Sequence, residues 1–251
     1  MGKTRDKTTG KTIGILGGMG PEATIYFYEL IIRHTKAHCD QNHIKTIIYS
    51  NPKIPPRTDA ILKKGESPLP HLKEGIEILT KAGVDFIIMP CVTAHYYYEE
   101  LAGWAKIPVV SLLEESLHFT KKNFPHLSRA GLLASTGTVE SRLFHKTFAR
   151  EAVEIITPLE EEQTLVMDAI FGRKGIKAGF TSGYPREIIL SSASRLIGQG
   201  AEAIIAGCTE ISLVLKKKDI SVPFIDPLYI TALSCIRKAG YKIELKGRIA
   251  T

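Results

Sequence analysis

An internal duplication at a nearly constant interval constrains this 251-residue chain more than any other feature. Cys91 and Cys208 lie 117 positions apart (208 − 91), and the same interval separates Gly14 from Gly131, Gly20 from Gly137 and Gly83 from Gly200. It aligns the segment 14–20 (GILGGMG) with 131–137 (GLLASTG), and 87–93 (IIMPCVT) with 204–210 (IIAGCTE). Further on, Ile107-Pro108-Val109-Val110 resembles Val222-Pro223-Phe224-Ile225 at an interval of 115, so only a small slip accumulates. Such a chain is expected to fold as two related halves. If the halves pack about a pseudo-twofold axis, equivalent loops meet across it, and the two cysteines face one cleft from opposite sides.

Within each half, short β-rich runs alternate with helical patterns. Candidate strands lie near 12–16, 44–49, 84–89, 107–111, 130–134, 153–156, 201–206 and 222–226. Most are continuous apolar runs, as expected of parallel strands covered on both faces. Helical periodicity marks 22–37, 71–82, 94–103, 138–149, 185–198 and 227–239. This βα repetition defines the α/β class, and 251 residues suffice to bury a sizeable core. Eight βα units can also close a barrel, but the strandless stretch 157–200 fits a regular barrel poorly. The expected architecture is therefore two pseudosymmetric parallel-sheet domains with the active site between them. The expected division is a flexible basic tail at 1–11, a first domain at 12–108 plus 220–251, and a second at 109–219. Ligands of open α/β sheets sit beyond the carboxyl ends of the strands. Both cysteines, the turns at 17–24 and 135–138, and Ser50-Asn51 all fall there.

Composition narrows the setting. Hydrophobic content of 44% and charged content of 24% are ordinary for a soluble globular chain. No apolar run reaches the roughly 20 residues of a membrane span, and no secretory h-region follows the start. Four widely spaced cysteines without a CxxC pair indicate neither a disulfide framework nor a zinc ribbon. A cytoplasmic protein is expected, where thiols stay reduced. The net charge of +7 does not point to nucleic acid, because residues 1–11 supply +3 of it (Lys3, Arg5, Lys7 and Lys11 against Asp6) and only Lys216-Lys217-Lys218 cluster elsewhere. Asp6 also stands where a myristoylation signal takes Ser or Thr.

The chemistry concentrates at the cysteines. Each follows an apolar strand and precedes residues able to open a helix, whose N-terminus would stabilise a thiolate and pull the thiol below its free value of about 8.5. Other motifs give less. Gly10-Lys11-Thr12 imitates the end of a P-loop but precedes a strand instead of following one. Gly18-Met19-Gly20-Pro21-Glu22-Ala23 fits a dinucleotide turn, yet Ser50-Asn51 stands where an acidic residue would bind ribose. That turn still suits a carboxylate. His34 and His38 have metal-pair spacing but no third acidic ligand nearby, so they read as a solvated helix end. Cys39 and Cys235 read as small buried hydrophobes inside amphipathic helices, and Tyr96-Tyr97-Tyr98 as packing. His95, four residues after Cys91, either orients the thiol or packs in the first turn. Arg57 sits in the proline-stiffened run Ile54-Pro55-Pro56-Arg57-Thr58-Asp59, which suits bidentate carboxylate recognition; a plain surface arginine is the alternative. Lys177, in the glycine-rich segment 172–179, carries a weaker signal.

Taken together, Gly17-Gly18-Met19-Gly20-Pro21-Glu22-Ala23-Thr24, Pro55-Pro56-Arg57-Thr58, Met89-Pro90-Cys91-Val92-Thr93-Ala94-His95, Ser135-Thr136-Gly137-Thr138, Gly175-Ile176-Lys177-Ala178-Gly179 and Gly207-Cys208-Thr209-Glu210 make the chain resemble the aspartate/glutamate racemase family, in its PLP-independent aspartate branch. The resemblance runs from Lys11 to Ala239. It implies Cys91 and Cys208 as a catalytic pair, Arg57 and Lys177 on the substrate's carboxylates, and Met19, Thr24, Val92, Thr93, Thr136, Thr138, Thr209 and Glu210 around the substrate. It further implies a homodimer, no cofactor, no metal, and two-base proton transfer at Cα of aspartate, with glutamate second. Glu210 stands where glutamate racemases carry histidine. One departure is Val92, where the family has asparagine. That departure keeps two alternatives open: an isomerase or lyase for a dicarboxylate lacking an amino group, and a non-catalytic binder of acidic metabolites.

Overall fold

A computed structural model describes residues 10–245, so positions 1–9 of the basic tail lie outside the described residues. The first half runs β1 (Ile13–Gly17), α1 (Pro21–His34), β2 (Thr46–Ser50), α2 (Arg57–Ile61), α3 (Leu69–Lys81), β3 (Phe86–Ile88), α4 (Tyr98–Trp104), β4 (Val109–Val110) and α5 (Leu112–Asn123). The second runs β5 (Arg129–Leu133), α6 (Thr136–Glu140), α7 (Leu143–Ala149), β6 (Glu154–Ile156), α8 (Glu160–Phe171), α9 (Tyr184–Gly198), β7 (Ala203–Ala206), α10 (Ile211–Val214), β8 (Phe224–Ile225) and α11 (Pro227–Lys238). Two four-stranded sheets result, ordered β2-β1-β3-β4 and β6-β5-β7-β8. Every pairing within them is parallel. They stay separate rather than closing into one barrel.

The hydrogen-bond register reproduces the sequence interval. Gly14 pairs with Ile87 in the first sheet, and Gly131 with Ile204 in the second, both 117 positions on. Ile88 pairs with Val110 and Ile205 with Ile225, which retains the downstream interval of 115. The apolar runs are continuous because both faces of each sheet are covered. Ile15 and Ile88 of the first sheet, and Leu132 and Ile205 of the second, meet in one central core. Their sequence neighbours turn the other way, Leu16 and Ile87 into an outer cluster of the first unit, Leu133 and Ile204 into that of the second. Alternation of side chains along a strand thus assigns equivalent residues to equivalent layers.

Sheet membership differs from a division at 109 and 220. Strand β4 pairs into the first sheet and β8 into the second. The helices that follow change sides: α5 packs on α7 and α11, while α11 returns to pack on α1. Helix α11 is buried over most of its length, from Pro227 to Ile236. Its start is fixed by Asp226, whose carboxylate accepts from the Leu228 and Tyr229 N–H groups, and Pro227 needs no such partner.

Four of the described helices, the short α2 and α10 and the longer α5 and α8, lie outside the runs expected to be helical. Helix α8 opens with Glu160, Glu161 and Glu162, which suit the positive end of the helix dipole but mask the apolar positions Val166, Ala169 and Ile170 that follow. Helix α1 ends at His34, so His38 does not share its face, and the buried His34 ring meets the Glu244 carbonyl. Cys39 is exposed and precedes a 3₁₀ turn instead of lying in a helix. Its thiol donates to the Asn42 side chain, as a polar turn position allows. Cys235 is buried in α11.

Gly18 makes the first turn of the site possible. Its φ is +91°, and a Cβ there would lie 2.4 Å from the Asn51 backbone, which closes over the turn from the end of β2. Gly18→Ala is expected to lose about 2–4 kcal/mol of unfolding free energy from left-handed strain and backbone collision together. Urea denaturation checks this, and an unchanged midpoint would show that the turn relaxes freely.

Candidate functional site

The carboxyl ends of β1 and β3 face those of β5 and β7 across a cleft of about 740 Å³. Each cysteine stands just beyond a strand: Met89-Pro90 carries β3 to Cys91, and Gly207 carries β7 to Cys208. Both thiols line this one cleft. So do Met19, Arg57, Val92, Thr93, Thr138, Lys177, Thr209 and Glu210. Of the expected site residues, only Thr24 and Thr136 are not among the lining residues. Thr24 works behind the wall, accepting from the Gly18 N–H at 2.9 Å and donating to the Gly20 carbonyl. The Thr136 hydroxyl accepts from Gln163, and its N–H points to the Met167 sulfur at 3.2 Å.

The two thiols have different surroundings. Cys91 Sγ lies 3.4 Å from the Thr93 hydroxyl. A short 3₁₀ turn at Thr93–Tyr97 follows it, and His95 within that turn bonds the Cys91 carbonyl, not its sulfur. Across the cleft, the Cys208 thiol donates to Glu210 Oε2 at 2.9 Å, and the Thr209 hydroxyl donates to the same oxygen. Burial first, and then the Glu210 charge, push the Cys208 thiol well above its ordinary range; Lys177 and the Glu210 N–H pull the other way without prevailing. The expectation of a helix-activated thiolate is therefore corrected at Cys208. The helix that follows it, α10, has four residues and contributes little dipole, while desolvation penalises the charged sulfur.

Lys177 hangs from a 3₁₀ turn at Ile176–Ala178, between α8 and α9. Its ammonium pairs with Glu210 Oε1 and lies 5.4 Å from the centre of the Phe171 ring. Burial works against its charge, but Glu210 and the thiols outweigh burial, and the net shift is upward. Glu210 is likewise opposed by burial and held ionised by Lys177, so its carboxyl falls below the usual range.

Arg57 opens α2 with its guanidinium tied to backbone carbonyls: Nη1 donates to Ile54 and Pro55, and Nη2 donates to Met19 at 2.9 Å. Its Nε is buried with no partner among the described residues. A guanidinium has five N–H groups, so two are unpaired, the buried Nε–H and one on Nη2. The second unit approaches closely here, since a Cβ on Gly137 would lie 2.8 Å from the Thr58 hydroxyl.

Met167 and Phe171 also line the cleft, and sequence reasoning did not single them out. Both sit on α8, whose helical pattern was not recognised. Lys53 and Asp59 complete the rim beside Arg57.

This arrangement defines a class: a two-unit α/β protein with a thiol from each unit, three cations and two carboxylates around a cleft fit for a small anionic molecule. The chain belongs to the Asp/Glu/hydantoin racemase family, whose model matches residues 16–235. Its sequence is 29% identical over 229 residues to the broad specificity amino-acid racemase RacX of Bacillus subtilis, covering 89% of this chain and 96% of that one. Its fold is similar to that of the Picrophilus torridus aspartate racemase, with a TM-score of 0.83, 29% identity, and coverage of 94% and 96%. An aspartate racemase homologue from Pyrococcus horikoshii OT3 superposes with a TM-score of 0.73 at 25% identity, over 92% of this chain and 99% of that one.

His95 gives the site a measurable pH signature. Its Nδ1–H donates to the Cys91 carbonyl, and its Nε2 accepts from the Leu112 N–H at 3.0 Å, so the ring is held neutral. Burial lowers its pKa from 6.5 to about 4. A depressed histidine stabilises the fold above its unfolded pKa and loses that contribution as pH falls toward the folded value. Between pH 7 and pH 5 the loss is about 2 kcal/mol. His95→Gln, which keeps one donor and one acceptor, is expected to remove that part of the pH dependence in urea melts at the two pH values. Equal slopes for both proteins would contradict a neutral buried imidazole.

Proposed function

We propose that the protein is an amino-acid racemase in which Cys91 and Cys208 exchange protons with opposite faces of the substrate Cα, aspartate being the first substrate to test and glutamate the second. The observation that carries this reading is that the two cysteines of a duplicated motif line one cleft beside Arg57 and Lys177. Arg57 and Lys177 suit a substrate with two carboxylates, and the similarity to the Picrophilus aspartate racemase agrees with that choice. The broad specificity of the Bacillus relative argues for a wider panel of amino acids in the same assay.

In the proposed cycle a thiolate takes the Cα proton and the opposite thiol delivers one to the other face; the roles reverse for the other enantiomer. The carbanion survives as an enediolate, which places negative charge on the α-carboxylate oxygens. Donors aimed at those oxygens lower the barrier most where water is excluded. The unpaired Nη2–H of Arg57 and the Thr93 hydroxyl are the donors available on the first unit, with the Lys177 ammonium on the second. The Thr209 hydroxyl already serves Glu210 and Thr136 lies behind the wall, which removes both from the donors expected to carry this load.

Val92 supports a second reading. It is 3% exposed, lines the cleft next to Cys91 and offers no hydrogen bond to an ammonium group. A dicarboxylate lacking the amino group, isomerised or cleaved by the same thiols, would not need one there.

Proton NMR of L-aspartate and L-glutamate with the reduced protein in D2O tests the first reading. The Cα proton signal is expected to disappear as deuterium enters and the D enantiomer accumulates. Cys91→Ala and Cys208→Ala should each slow racemisation by about 10²–10⁴-fold. Racemisation by either variant at the wild-type rate would rule out the two-thiol mechanism. An unchanged spectrum with every amino acid tried, together with turnover of a maleate-like dicarboxylate, would establish the second reading.

A further inference from the structure

The two thiols are equivalent under the duplication, yet the side chains that hold them are not. Two positions after Cys91 stands Thr93; two positions after Cys208 stands Glu210. A hydroxyl can donate to a thiolate or accept from a thiol, so the 3.4 Å contact of Cys91 with Thr93 permits either charge state. An ionised carboxylate can only accept. The 2.9 Å contact of Cys208 with Glu210 Oε2 is therefore a bond only while Cys208 keeps its proton. Glu210 is itself held in the accepting state, by Lys177 on one oxygen and by the Thr209 hydroxyl on the other.

We propose that Glu210 is a positioning residue that locks Cys208 as the protonated partner of the resting site and leaves Cys91, beside Thr93, to carry the thiolate. This inference rests on the two-thiol reading above. The other charged groups around the cleft are Lys177 on its turn between α8 and α9, and Lys53, Arg57 and Asp59 at and before the start of α2. Lys177 favours a thiolate at both sulfurs, but on the Cys208 side its ammonium is already paired with Glu210. Burial of Cys208 acts in the same direction as the carboxylate.

The resting site then receives one enantiomer with its base ready, whereas the mirror image requires the proton to have moved from Cys208 to Cys91 beforehand. Enantiomers have equal free energies, so kcat/KM must be the same in both directions at every pH. The asymmetry therefore shows in kcat and KM separately, each differing between enantiomers by one common factor. Glu210→Gln is expected to shrink that factor.

A direct test needs no substrate. The reduced full-length protein is alkylated with iodoacetamide from pH 6 to pH 10, and modification of each cysteine is followed by peptide mass spectrometry. Exposure alone would favour Cys208, at 9% against 4% for Cys91. The lock predicts the reverse, with Cys91 reacting at least about tenfold faster at pH 8, as one unit of thiol pKa would give. In Glu210→Gln the pH onset for Cys208 should fall by about one unit while the Cys91 rate stays within about twofold. Thr93→Val should slow Cys91 and leave Cys208 alone. The wild-type ratio stands even if the Gln variant fails to fold. Cys208 reacting as fast as Cys91, or an onset that Glu210→Gln leaves in place, overturns the lock. Failure of the two-thiol reading is a separate result, seen as racemisation that survives loss of either cysteine.

Discussion

The structure depends on the pairing of β1 with β3 and its repetition in β5 with β7. Parallel strands gain their hydrogen bonds only when a connecting helix returns each one to the same end of the sheet. Each unit consequently gathers all its strand ends on one side. The same register in both units sets Cys91 and Cys208 at the same level beyond their strands. Residues supplied in this way need no contact with one another to be brought together. The sheets position them, and the shared central core holds the sheets.

On this symmetric frame the polar groups are asymmetric. The second unit supplies a connected chain of hydrogen bonds from Lys177 through Glu210 to Cys208 and Thr209. The first supplies a lone hydroxyl beside Cys91 and a guanidinium tied mainly to its own backbone. Buried ionised groups survive when partners compensate their lost hydration, and here each does so through at least one opposite charge or several carbonyls. The duplication explains where the groups are; the substitutions since then explain how they differ.

Much of this was legible in the sequence because its signals are local or periodic. All eight strands fell within or beside the apolar runs, since two-sided burial leaves an unbroken hydrophobic signature. The cysteines were legible through the repeat. What escaped depended on partners distant in the chain. Helix α8 hid behind three glutamates, and with it went Met167 and Phe171. The charge state of Cys208 could not be read from its place at a helix start, because burial and a carboxylate two residues away outweigh a four-residue helix. His95 was open between orienting the Cys91 thiol and packing in the first turn, and the 3₁₀ turn directs its ring to the carbonyl.

The exchange of helices between the units follows from two short crossings, at Ser111 after β4 and at Asp226 after β8, which stand 115 positions apart like the strands they follow. Each is buried and caps the helix it opens, Ser111 through the Glu114 N–H and Asp226 through those of Leu228 and Tyr229. Because each unit lends a helix to the other, neither half is a complete folding unit, and an ancestral single-copy protein would have had to trade the same helix with a twin.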